Sequence, residues 1–98
     1  MAKGIEHFLD EHGKLKQLPS KQSMKNLAYA YLAEKFSYDV EYTEQDVNSI
    51  VGQWHTFGDY FVLRRGLIES GWLKRLTDGS KYWKNKEKLK IDVIINDH

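Results

Sequence analysis

The sequence predicts a mainly α fold that closes with a small antiparallel β-hairpin. Three observations lead there. Apolar side chains recur at spacings of three and four over separate segments, the mark of helices with one buried face. Residues 72–84 then change character around Asp78-Gly79, a pair that accepts the positive backbone angles of a tight reversal. The third observation is size. Ninety-eight residues make one small domain, and such a chain buries only about 60–65% of its unfolded surface. Its three Trp, six Tyr and four Phe must therefore supply much of the core.

The elements follow in order. Residues 1–14 read as an N-terminal helical extension, with Ile5, Phe8 and Leu9 at helical spacing between Ile5 and His12 and Gly13 as the stop. Pro19-Ser20 is the entrance to the next helix, over about residues 21–36, with Ser20 as the expected N-cap. Met24, Leu27, Ala28, Tyr31, Leu32 and Phe36 mark its apolar face. Val40-Glu41-Tyr42 alternates and is expected as a very short strand. Thr43 begins the next helix, and Asp46 three residues on reaches back to it in an approximate capping box. Val47, Ile50, Val51 and Trp54 form its buried stripe, and acids in its first turn suit the helix dipole.

A third helix is expected over residues 59–70, with Tyr60, Leu63, Leu67 and Ile68 inward and Gly71 as a left-handed C-terminal cap. Residues 72–76 and 81–84 are the hairpin strands. Trp72, Leu76, Tyr82 and Trp83 are expected to pin the hairpin to the helices. This is the element order of a winged helix-turn-helix, spanning residues 15–84 with the hairpin as wing. Residues 85–98 form a tail in which Ile91–Ile95 is expected as a last strand. Left exposed, such a strand invites aggregation, so it is expected to be covered by the wing sheet or shared across a homodimer.

The segments "LKQLPSKQSMKNLAYAYLAEKF" (15–36), "YTEQDVNSIVGQWH" (42–55) and "DYFVLRRGLIESGWLKRLTDGSKYW" (59–83) carry a resemblance. They are similar to a bacterial family of domains of unknown function, numbered two-zero-eight-seven. The likeness covers about Leu15 to Lys84. The family pattern has a Leu-Lys-x-x-Pro-Ser-Lys entrance, an Asp-Tyr-x-x-Leu-Arg-Arg start to the third helix, and a Gly-x-Leu-x-Arg…Gly-x-x-Tyr-Trp wing. All three fall here in order. The family often occurs behind or beside ArsR-type DNA-binding domains, and the resemblance implies transcription-related work. The copy here is expected to stand alone.

Composition removes several functions. There is no cysteine, so disulfides, thiolate metal sites and cysteine nucleophiles are excluded. His7, His12, His55 and His98 lack metal-ligand spacing. No carboxylate pairs with a nucleophile at a recognisable spacing, and no Gly-rich phosphate loop occurs. No enzyme, cofactor or metal is expected. The N-terminus is too polar for a signal peptide, and the run Val93-Ile94-Ile95 is too short to span a bilayer. A soluble cytoplasmic protein with no membrane partner is expected.

Charge is segregated. Residues 37–58 hold four acids and no Lys or Arg, whereas residues 59–90 hold nine bases against four acids, a local excess of +5. A basic face attracts polyanions even when the whole chain, at +1, is near neutral. The favoured expectation is double-stranded DNA. The third helix would enter the major groove and the wing would hold phosphates. The contact set is Asp59, Tyr60, Arg65, Lys74, Arg75, Lys81 and Lys84. Helical geometry, about 100° per residue, splits the Arg pair. Arg64 falls on the buried side and is expected to bridge to Glu44 or Asp46, while Arg65 points away as the ligand candidate. The alternative is a winged-helix module that binds a protein partner or itself. Near-neutral charge, the acidic helix 43–54 and Glu69 favour it.

Overall fold

The computed structural model describes residues 5–88. The expected strand Ile91–Ile95, and any dimer contact through it, lie outside them. The described chain is mainly helical: α1 (Gln22–Ala33), α2 (Glu44–Gln53) and α3 (Tyr60–Glu69) precede the hairpin strands β1 (Leu73–Arg75) and β2 (Tyr82–Lys84). The layout is winged-helix-like.

Its buried centre is aliphatic: Leu15, Leu32, Val47, Val51, Leu63, Leu67 and Leu73 are nearly or wholly inaccessible, and Ile5 joins them from the N-terminal segment. That segment forms a 3-10 turn over Ile5–Phe8 rather than a helix to His12. Asp10 ends it. Its carboxylate accepts the amides of His12 at 2.8 Å and Lys14 at 2.9 Å, drawing the backbone into a reversal that competes with a helix. Gly13 completes the turn at φ 78°. The chain then runs back so that Leu15 bridges both Leu9 and His55.

Helix α1 buries Ala28, Tyr29, Leu32 and Ala33, a stripe rotated from the expected one. Leu27 is 37% exposed. The rotation has a tertiary cause: the Tyr29 ring lies against Gly66 of α3, where an added methyl would overlap it. Lys21, not Ser20, is the N-cap, and it makes no side-chain capping bond. At α2 the capping box forms. Thr43 Oγ1 accepts from the Asp46 amide at 3.0 Å, and the Asp46 carboxylate accepts from the Thr43 amide at 2.9 Å.

His55 links α2 to α3. Its Nε2 lies 2.9 Å from the Asp59 amide, which donates to it. The proton therefore sits on Nδ1, which donates to the Val51 carbonyl at 2.8 Å. One buried neutral imidazole thus serves the last turn of α2 and the threshold of α3. Helix α3 buries Leu63, Gly66 and Leu67. Tyr60, expected to face inward, is 46% exposed. Gly71 ends the helix at φ 87°, a conformation glycine adopts without steric cost.

In the wing, Leu73 pairs with Lys84, Lys74 with Trp83 and Arg75 with Tyr82. The short strand expected over 40–42 contracts to Tyr42, which exchanges two backbone bonds with Tyr82, at 2.8 and 2.7 Å. Tyr42 also sets its ring edge-on to Phe36, with centroids 5.2 Å apart. Tyr82 is buried and Trp72 and Trp83 are half-buried, but Leu76 is exposed and pins nothing.

Candidate nucleic-acid interface

The outward face of α3 begins with three successive apolar or aromatic residues. Tyr60, Phe61 and Val62 are 46%, 54% and 38% exposed. One turn further along, Arg65 Nε donates to Glu69 Oε2 at 3.1 Å, and both side chains are mainly in solvent. Beside them runs a groove between α1 and α3. Gln22, Lys25 and Asn26 line one wall and Phe61, Val62 and Arg65 the other. Tyr29 lies at its base. Desolvation, with the Glu69 carboxylate adding to it, raises the Tyr29 phenol above its ordinary range.

Arg64 turns the other way, into the seam between α2 and α3. Its Nη1 lies 2.6 Å from Asn48 Oδ1 and 3.6 Å from Glu44 Oε2. Its guanidinium carbon is 5.2 Å from the centre of the Phe61 ring. Asp46, the other acid proposed for Arg64, is committed instead to the capping box. Asn48 was missed. It lies four residues after Glu44, so the two share a helix face, and that spacing was the available signal.

The wing bases divide. Side chains alternate along a strand, which places exposed Lys74 with Trp83 on one face and Arg75 with buried Leu73 and Tyr82 on the other. Arg75 bends toward its own turn, with Nη1 3.4 Å from the Leu76 carbonyl and 3.3 Å from that of Thr77. The turn is closed locally by the Asp78 carboxylate, which accepts the Ser80 amide at 2.9 Å. Lys81 Nζ is 3.3 Å from Glu41 Oε1.

Lys84 departs furthest from its expected role as a DNA contact. Its ammonium donates to the Phe36 carbonyl at 3.2 Å and sits 4.4 Å from the centre of the Tyr38 ring. Desolvation lowers its pKa, with Glu34 opposing. It is a strut from β2 to the end of α1. Asp59 is exposed, and its backbone amide is held by His55. Of the candidate bases, Lys74 alone has no partner among the described residues. Tyr60, Arg65, Lys74, Arg75 and Lys81 are thus exposed on α3 and the wing, with Lys74 and Arg75 on opposite faces of the hairpin, and Lys84 is withdrawn from the set.

Among the described residues, no group of three or more His, Asp or Glu could hold a metal ion, and no helix is long and apolar enough to cross a membrane.

Three helices, a ring-clamped turn between the second and third, and an antiparallel hairpin after the third define a mainly α protein whose layout is consistent with a winged helix. The chain belongs to the bacterial family described as "Uncharacterized protein conserved in bacteria (DUF2087)", whose pattern matches residues 14–84. Neither a curated protein nor a solved structure matches it.

Proposed function

We propose that the protein binds double-stranded DNA through α3 and the wing and regulates transcription. One observation carries this reading. Tyr60, Phe61, Val62 and Arg65 of α3 are exposed, and the hairpin that follows α3 exposes Lys74 on one face and Arg75 on the other, with Lys81 exposed at the start of its return arm. In the major groove, Phe61 and Val62 would meet thymine methyls and Arg65 a phosphate or guanine edge. Lys74, Arg75 and Lys81 would take backbone phosphates. The ion pairs these bases make now do not oppose this strongly, since exposed pairs are worth about 0–1 kcal/mol. The transcriptional setting is the one that the resemblance to this family implies, and it is part of the proposal.

The test is titration of a fluorescent random duplex at low and moderate salt. Binding that falls steeply with salt is expected, because each neutralised phosphate releases counterion. The Arg65→Ala/Lys81→Ala variant should bind several-fold more weakly. Unchanged affinity in that variant rejects the surface.

A second reading has its own support. Tyr60, Phe61 and Val62 are an apolar strip on a charge-balanced face, a composition suited to a protein partner or a second copy. Association that survives salt, and is lost in Phe61→Ala, would select it.

A further inference from the structure

Two cations of the candidate surface, Arg65 and Lys81, are held by tethered carboxylates, and the placement of one carboxylate has no evident stabilising purpose. Glu69 lies in the last turn of α3, where the helix dipole disfavours an acid. Its pair with Arg65 also has the base N-terminal to the acid, the weaker of the two orders at this spacing. Glu41 reaches Lys81 diagonally across the Tyr42–Tyr82 bridge. Both pairs are mainly in solvent, with side chains 53–68% exposed. They are cheap to open, yet both sit on bases of the surface proposed for DNA.

Resting on the DNA-binding reading, we infer that Glu69 and Glu41 are built-in competitors for phosphate. They occupy Arg65 and Lys81 until a polyanion displaces them. A duplex carries about one negative charge per 1.7 Å of axis and engages several bases at once. It therefore displaces both carboxylates together, whereas a single small anion faces a competitor that is always at hand. The partner that fits is a densely charged polymer rather than a free phosphate or nucleotide. The two acids set how tightly it is held.

The experiment measures random-duplex affinity at low salt for the full chain and for Glu69→Gln, Glu41→Gln and the double variant. Glu11→Gln is the control of equal charge, since Glu11 pairs with His12 on the N-terminal turn, away from α3 and the wing. Exposed pairs favour the closed form by a factor of about two to five. Each test variant should thus bind about threefold tighter, the double about tenfold, and the control about as wild type. The gain from Glu69→Gln should vanish on an Arg65→Ala background. The melting temperature of Glu69→Gln should not fall; a clear fall would make the acid a structural support and overturn the inference. Wild-type binding with no gain over Glu11→Gln overturns it too, leaving the DNA-binding reading intact. Failure of every variant to bind duplex at low salt overturns both.

Discussion

Arg64 and Arg65 are adjacent in sequence and have opposite fates. The Arg64 side chain is 13% exposed and is fixed between Asn48 and Glu44. That of Arg65 is 68% exposed, and its partner lies one turn along its own helix. Two regions are being compared here: the inner seam that joins α3 to α1 and α2, and the outer face that looks to solvent. The difference shows that the residue type does not decide what a base does. In the seam, desolvation makes each lost hydrogen bond expensive. On the outer face water replaces any lost partner, so the same group remains available to a ligand.

Predictions that break this comparison start in the seam. Gly66→Ala carries the largest expected effect. Its methyl would overlap the Tyr29 ring, and overpacking of this kind costs about 2–3 kcal/mol, more than the gain of up to about 1 kcal/mol in helix propensity. Calorimetry should show a lower Tm. An unchanged Tm would mean that Tyr29 has another place to go.

Next is the pair Arg64→Ala and Arg65→Ala. The first should cost about 1–2 kcal/mol, because it strands the Asn48 amide oxygen and weakens the hold on Glu44. The second should stay within about 0.5 kcal/mol. Chemical denaturation of both variants checks the difference, and equal losses would erase the distinction between seam and face.

The smallest effect concerns pH. The Lys14 backbone amide, opposed by desolvation and aided by the His12 amide, holds the Asp10 carboxyl below its ordinary value of 3.8. The folded pKa is depressed. Asp10 therefore contributes stability above its unfolded value, and this is lost as pH falls through the folded one. Tm should drop less steeply from about pH 5 to pH 3 in Asp10→Asn than in wild type. Parallel profiles would place the acid sensitivity elsewhere.

Local features of the fold were readable in the sequence. Apolar spacing located three helices, Thr43 and Asp46 marked a real capping box, and Asp78-Gly79 and Gly71 marked the hairpin and the helix end. What escaped was tertiary. The face of α1 turns toward Tyr29 because Gly66, 37 residues later, leaves room for its ring. The first helix stops early because Asp10 prefers its neighbours' amides. At the candidate site, the angular split of Arg64 from Arg65 was legible, and the i, i+4 spacing of Arg65 and Glu69 was there to be used. The destination of Lys84 was not, since its acceptor lies 48 positions away.

The Tyr42–Tyr82 bridge has a mechanical consequence. The wing is anchored to the residue just ahead of the α2 capping box by two backbone hydrogen bonds. The hairpin consequently lacks a hinge of its own. A load on its tip is delivered through two backbone bonds into the start of α2, so arm and helix travel together as a lever rather than as a flap.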